Sequence, residues 1–377
     1  MTAEIASVET VVLRSELQEP FGYSQAWVAE RTALLVRIET RDGTVGWGEC
    51  WGPIAGTRET IDEFYGPMLV GRDPSNVEQV YEELYDAGRA AYQSVVPLPA
   101  ISGIDIALWD LRGKLRGQPV GEFLGGRRRD TARAYATGHY FKREDRLERL
   151  YDRIVDEAID NAERFGAVKL KIGLDLLGYG PDEDVELVRR VRKAVDEDTI
   201  ILVDANYAYD TGTAKQVGRE LARLGVYWFE EPVPPEHIDG YARLTADLGL
   251  RIAGGECHGP FEFRRLFGAA DIDVAQPDLC NVGGLTAGRR IRHLADAHNG
   301  RVVPHVWGTP IAIAASLQYI STLPGAPWLE FDRSSNPLRR DLIDGSFDVR
   351  DGDVRIPDRP GIGVTPRPDV LEAYRVD

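Results

Sequence analysis

The stretch FGAVKLKIG, Phe165–Gly173, sets two of the chain's six lysines into an otherwise apolar run. In an extended strand successive side chains alternate between faces, so Val168, Leu170 and Ile172 share one side and Lys169 and Lys171 the other. A charge taken out of water is costly unless it is paired. The two lysines therefore predict an acidic surface facing them, inside whatever the strand helps to enclose.

Seven more short apolar runs lie around this one, giving eight in all: ARAYATG, AVKLKIG, IILVDAN, VYWFEEP, RIAGGE, DIDVAQPD, RVVPHVW and PWLEFD. Amphipathic helical segments such as RLERLYDRIVDEAIDNAERF and LTAGRRIRHLADAHNG separate them. Eight strand–helix units over roughly 200 residues predict a parallel (β/α)8 barrel. The region before it reads as mixed α+β. TVVLRSEL is strand-like, and ALLVRIETRDGTVGWGEC is a hairpin turning at Asp42-Gly43. SGIDIALWDLRGKLRG is helical, with apolar residues at Ile104, Ala107, Leu108, Leu111 and Leu115 and Ser102 as the expected N-cap. The Gly-Gly-Arg-Arg-Arg run at 125–129 marks a boundary. The expected organisation is an N-terminal α+β capping domain (1–128), the barrel (129–335) and a C-terminal segment (336–377) packing back on the capping domain.

Composition narrows the function. A net charge of −16 argues against nucleic acid or an anionic membrane as partner. No 18-residue apolar stretch exists, so no membrane span is expected, and MTAEIASVET lacks the features of a secretory leader. Three scattered cysteines (Cys50, Cys257, Cys280) suit free thiols in a reducing cytoplasm.

The strand ends carry the chemistry. Lys171, Asp204, Glu230, Glu256, Asp278, His305 and Glu330 follow one another at steps of 33, 26, 26, 22, 27 and 25 residues, one strand–helix unit per step. Barrel enzymes hold their active sites at this C-terminal rim. Parity agrees: Ile272, Val274, Gln276 and Asp278 share one face of their run, and Val303, His305 and Trp307 share one face of theirs. Asp204, Glu230 and Glu256 form an all-oxygen set suited to a hard cation, with Mg²⁺ the natural choice. By parity Glu231 points away, which leaves Glu230 as the ligand. Two lysines beside such a metal favour an anionic substrate.

The ordered set of the ISGIDIALWDLRGK helix, KLK, VDAN, WFEEP, GGE, QPD, PHVW and LEFD resembles the enolase superfamily in its mandelate racemase branch, over nearly the whole chain. The resemblance implies Mg²⁺ on Asp204, Glu230 and Glu256 holding a substrate carboxylate. Lys171 is then the base on one face, its amine kept neutral by the like charge of Lys169. His305, oriented by Asp278, serves the other face. Glu330 hydrogen-bonds the substrate carboxylate, best as a neutral acid. Asn206, Tyr23, His258 and Trp307 are expected to touch substrate, and His139 is a further candidate at the mouth. EPFGYSQAW (Glu19–Trp27) matches in position the mobile loop that closes such sites. A homo-oligomer, octamer or dimer, is also implied.

Muconate-lactonising members carry a lysine on the strand that here ends in Asp278, which disfavours that activity. RAYATG, VAQPDLCNVGG, RVVPHVWGTPIAIAASLQ and EFDRSSNPLR are similar to the galactarolactone and 3,6-anhydro-galactonate cycloisomerases of the branch, although GGECHGPFEF departs from what is expected after the third ligand. The resemblance implies ring-opening β-elimination of a sugar-acid lactone or anhydro sugar acid to a 2-keto-3-deoxy acid. Acid-sugar dehydration, racemisation or epimerisation use the same residues. A non-catalytic acid-sugar binder is the third alternative, and the intact Lys171, His305, Asp278 and ligand set count against it.

Overall fold

A computed structural model describes residues 3–93 and 95–376. The chain opens with an antiparallel meander of β1 (Ile5–Tyr23), β2 (Ala26–Thr40) and β3 (Val45–Cys50). At the β2–β3 turn Asp42 Oδ1 accepts from the Thr44 N–H at 3.0 Å, and Gly43 takes the left-handed φ of 86° that the turn demands. The expected closing loop at Glu19–Trp27 is the tip of the β1–β2 hairpin, where Phe21, Gly22 and Tyr23 pair with Val28, Trp27 and Ala26. Gly22 and Phe141 also exchange two backbone hydrogen bonds of 2.8 Å, which ties this tip to the segment after the first barrel strand.

Two long helices follow, α1 (Val77–Tyr92) and α2 (Leu98–Arg116). α2 lies directly on β3: a Cβ at Gly48 would stand 1.9 Å from the Gly103 carbonyl oxygen, so only glycine permits the approach. Ser102 is not the N-cap of its own helix. Pro99 sits in the first turn, where its missing N–H is no loss, and the helix starts five residues earlier than Ser102 as N-cap would place it. Ser102 Oγ instead accepts from the Gly283 and Gly284 N–H groups at 2.8 and 3.1 Å, capping a barrel helix from outside.

The barrel strands are β4 (Thr131–Thr137), β5 (Ala167–Lys171), β6 (Ile200–Asp204), β7 (Trp228–Glu230), β8 (Arg251–Gly254), β9 (Val274–Ala275), β10 (Arg301–Val302) and β11 (Trp328–Asp332). β4 to β10 pair in parallel in chain order, and β11 pairs in parallel with β4 from its other side. Seven helices join them: α3 (Leu147–Phe165), α4 (Pro181–Ala194), α5 (Thr211–Arg223), α6 (Ile238–Asp247), α7 (Pro260–Ala270), α8 (Gly284–Ala297) and α9 (Pro310–Ile320). The eighth unit's helix is reduced to Pro337–Asp341. The hairpin of β12 (Val349–Arg350) and β13 (Asp353–Arg355) then pairs antiparallel with β4. The tail beyond it reaches the capping domain, where Val376 N donates to Val12 O at 3.1 Å.

Alternation separates two cores. Val168, Leu170 and Ile172 join the large core. Inside the barrel, Tyr135, Ala167, Leu202, Trp228, Ala253, Val274 and Val303, with Trp328 against them, form a plug with one residue from each strand or its direct continuation. Ile272, expected on the inner face, packs in the outer core because the strand proper starts only at Val274. Lys169, Glu230, Gln276 and Glu330 are buried above the plug.

Candidate active site

Strand register builds one wall of the mouth. Lys171 lies beside Asp204 across β5 and β6, and Asp204 beside Glu230 across β6 and β7. Lys171 Nζ is 2.5 Å from Asp204 Oδ2. Lys169 Nζ is 2.5 Å from Glu230 Oε1, 2.7 Å from Glu330 Oε1 and 3.9 Å from Asp204 Oδ2. This is the acidic surface that the alternating lysines called for. Glu230 also accepts from Gln276 Nε2 at 2.8 Å and from Trp228 Nε1 at 3.0 Å. Glu231 turns outward, where its carboxylate accepts from the Gly255 N–H at 2.6 Å and from the Tyr241 hydroxyl.

The opposing wall comes from later strands. His305 Nδ1 is 2.6 Å from Asp278 Oδ2, and Nε2 is 3.4 Å from Glu256 Oε2. Asp278 is fixed in turn by the Cys280 N–H at 2.7 Å, and the Trp51 ring from the capping domain lies 5.1 Å from the imidazole. Tyr207 donates its hydroxyl to Glu256 Oε1 at 2.6 Å.

Electrostatics corrects two expectations. Burial pushes the Lys171 amine down and Lys169 adds to this, but Asp204, with Tyr140 and Glu230, outweighs them and holds Lys171 protonated. Glu330 is not a neutral acid: burial pushes it up, yet Lys169, His305 and Lys171 together keep it below the usual carboxylate range, and it accepts from Lys169 and the Val306 N–H. Burial disfavours charge on His305 as well, but Glu256, Glu330 and Asp278 raise it to about 10. Glu230 is pushed up to about 8, by burial first and then by Asp204 and Glu330, against the pull of Lys169.

Asp204, Glu230, Glu256, Asp278 and Glu330 face the ammoniums of Lys169 and Lys171 and the imidazole of His305, so carboxyl groups outnumber cationic groups by two in a buried cluster. Among the described residues no three such side chains are gathered as ligands around one point, since ammoniums and the Tyr207 hydroxyl engage their oxygens. The donor set nonetheless fits a divalent hard cation, which carries the two charges the carboxylates lack and needs only oxygen ligands.

A cavity of about 160 Å³ lies between the two walls, lined by Lys171, Asn206, Glu256 and His305 among others. Of the sequence-predicted contacts, Tyr23, Asn206 and Trp307 line it. His258 does not: it is buried against Phe263, with Nε2 3.1 Å from the Pro235 carbonyl oxygen. His139 is also turned away, its two ring nitrogens 2.8 Å from Lys169 O and 3.2 Å from Asn161 Nδ2. Gln25, from the stretch expected to close the site, completes the lining with Trp51, Tyr140, Tyr207 and Cys257, none of which the sequence marks individually as a contact. Their signal is weak because three belong to irregular segments after strands, and Gln25 and Trp51 arrive from another domain. A larger cavity of about 610 Å³ opens at the other end of the barrel, under Trp228 and Trp328, away from all these groups.

The capping sheet and barrel just described match two family models. The mandelate racemase / muconate lactonizing enzyme N-terminal domain matches residues 6–125, and the enolase C-terminal domain-like family matches residues 153–370. The chain belongs to the enolase superfamily, in its mandelate racemase / muconate lactonizing enzyme family. Among characterised relatives it is 41% identical to D-galactarolactone cycloisomerase of Agrobacterium fabrum, over 99% of each chain. The crystal structure of 3,6-anhydro-D-galactonate cycloisomerase from Zobellia galactanivorans superposes with a TM-score of 0.89 at 36% identity, covering 99% of this chain and 100% of that one. A variant of L-talarate/galactarate dehydratase liganded with Mg and L-glucarate gives a TM-score of 0.86 at 28% identity, covering 100% and 93%.

Proposed function

We propose that this site removes the α-proton of a sugar-acid carboxylate and expels the oxygen on the β-carbon. The favoured form is ring-opening cycloisomerisation of an aldarolactone such as galactarolactone, or of an anhydro sugar acid, to a 2-keto-3-deoxy acid. The observation that carries this is a single small cavity holding both a buried lysine and an Asp-backed histidine, Lys171 and His305, beside a cluster of carboxylates.

Lys171 is the base. Burial and Lys169 both favour its free amine, against Asp204, Tyr140 and Glu230, which hold it protonated, and with Asp204 drawn away to a cation the main opposition is removed. His305, charged and held by Asp278, is the acid that returns a proton on the other wall. Lys169 spans Glu230 and Glu330 and holds both carboxyl groups in place. Asp204, Glu230 and Glu256 are the residues that would hold Mg²⁺, which when bound offsets the negative charge developing on the substrate carboxylate. Asn206, Tyr23 and Trp307 are proposed substrate contacts.

The walls favour a ring. Tyr23, Trp51, Tyr140, Tyr207 and Trp307 present aromatic surface, and the 160 Å³ cavity is smaller than a drug-sized pocket of roughly 300–1,000 Å³. Dehydration of an open-chain sugar acid is the second reading, supported by the likeness to L-talarate/galactarate dehydratase, since the same groups serve a leaving hydroxyl. We take the chain as a capping domain (1–128), a barrel (129–335) and a C-terminal segment (336–377), assembled as a cytoplasmic homo-oligomer. Its three cysteines are free, and among the described residues no helix is long and apolar enough to cross a membrane.

The test is ¹H NMR in D₂O with Mg²⁺ over sugar acids and their lactones, with Lys171→Ala and His305→Ala beside the wild type. Conversion of a lactone or anhydro acid with open-chain acids left intact supports cycloisomerisation. Water loss from an open-chain acid supports the second reading. No α-proton exchange on any compound contradicts both.

A further inference from the structure

Tyr140 lies three residues past β4 and lines the cavity beside Lys171, whose Nζ is 5.7 Å from the centre of its ring. Its phenol oxygen accepts the Trp307 indole N–H at 2.7 Å. An indole nitrogen only donates, so the direction of that bond is fixed and the phenol's own proton is not used in it. Among the described residues no acceptor lies within hydrogen-bonding distance of that proton. Tyr140 is only 5% exposed, and burial keeps the phenol neutral by pushing it up. A buried donor without an acceptor destabilises its surroundings until a ligand oxygen takes the proton. Asn206 Oδ1, also buried and without a partner, lines the same cavity as a matching acceptor.

The ring cannot easily turn away. The backbone exchange between Gly22 and Phe141 fixes the chain beside it. The Phe21 ring packs 4.3 Å from its own, and Arg31 stacks between Phe21 and Trp307 at 4.8 and 4.3 Å. Arg31 is itself buried and paired with Asp332 at 3.0 Å. The capping domain thus sets the orientation of a hydroxyl that belongs to the barrel.

We propose that Tyr140 is a substrate-binding residue whose hydroxyl donates to a sugar oxygen on the Lys171 side of the cavity, with Trp307 and Arg31 holding it in position. This rests on the sugar-acid function proposed above. The test is Tyr140→Phe, which removes one oxygen and keeps the ring, assayed on whichever member of the lactone and acid panel the wild type converts. KM is expected to rise about ten-fold or more, with a smaller change in kcat and an unchanged melting midpoint. Trp307→Phe leaves the hydroxyl but frees its orientation, so a smaller rise of about two- to five-fold is expected; Arg31→Lys, which loosens the same stack from outside the cavity lining, is expected to give a rise in that range and decides the matter if Tyr140→Phe fails to fold. Calorimetric binding of tartrate with Mg²⁺ gives a readout independent of turnover and is expected to weaken in Tyr140→Phe. Wild-type KM and wild-type tartrate affinity in that variant overturn the proposal. If the wild type converts nothing but its tartrate binding still depends on Tyr140, the residue's role stands and the assigned reaction falls. A wild type that neither converts nor binds any of these acids overturns both.

Discussion

Two groups of buried carboxylates, with similar exposure and opposite roles, divide this molecule. At the barrel mouth, Asp204, Glu230 and Glu330 face lysine ammoniums and Glu256 a tyrosine hydroxyl and a histidine. At the seam between capping domain and barrel, Glu49 and Asp105 face backbone N–H groups. Glu49 accepts from Thr309 N, Thr309 Oγ1 and Ala312 N at 2.9, 2.6 and 3.0 Å, closing the start of α9. Asp105 Oδ2 accepts from Thr286 N at 3.0 Å in the first turn of α8, beside the two bonds made by Ser102. Burial of an acid is therefore no guide to its function; the partner is. An N-terminal helix amide is a fixed structural partner, whereas an ammonium can give up its carboxylate to a cation or its proton to a substrate.

Variants at the two regions should consequently separate activity from stability. The largest effect is expected at the mouth: Lys171→Met or His305→Asn should lower kcat by about 10²–10⁴-fold in steady-state assays while leaving a cooperative melt. Next, Mg²⁺ at about a hundred times its Kd should stabilise the wild type by about 2.7 kcal/mol, and Asp204→Asn should lose that shift in thermal scans. Glu49→Ala should do the reverse, costing about 1–3 kcal/mol in denaturant unfolding while the folded fraction keeps its kcat.

The pH dependence sharpens the contrast at the seam. Burial raises Asp105 to about 7, and its Oδ1 has no partner, so a proton has a place to sit. The folded state then binds more protons than the unfolded one between about pH 4 and 7, and stability falls as pH rises through that window. Asp105→Asn should remove this slope, gaining on the order of 2–4 kcal/mol relative to wild type at pH 8 but little at pH 4. Asp332 carries the opposite sign. Burial alone would raise it, but Arg339 and Arg31 hold it at about 2, so its contribution is lost only as pH falls from about 4 toward 2. The smallest effect is expected for His258→Ala, which lies outside the cavity and should leave KM nearly unchanged.

What was legible in the sequence was whatever a strand period or a repeat length encodes. The alternation of Lys169 and Lys171 against Val168 and Leu170 fixed the inner face, and steps of one strand–helix unit brought Asp204, Glu230, Asp278 and His305 to the rim. What depended on contacts between domains was not legible. Ser102 looked like the cap of its own helix, yet Pro99 had already started that helix and the serine serves α8. Glu330 was expected neutral because nothing local shows that Lys169 reaches it at 2.7 Å. Tyr140 and Trp51 follow strands in irregular segments, where no periodicity marks a side chain as inward. His258 sat two residues from Glu256, but proximity in sequence past a strand end does not fix direction.

The most direct experiment follows the α-proton. The wild type with Mg²⁺ in D₂O, given galactarolactone and 3,6-anhydro-galactonate, should yield a 2-keto-3-deoxy acid, and Lys171→Ala or His305→Ala should abolish the conversion. Retention of full conversion in either variant, or conversion that survives EDTA, would contradict a mechanism built on these two residues and the carboxylates between them.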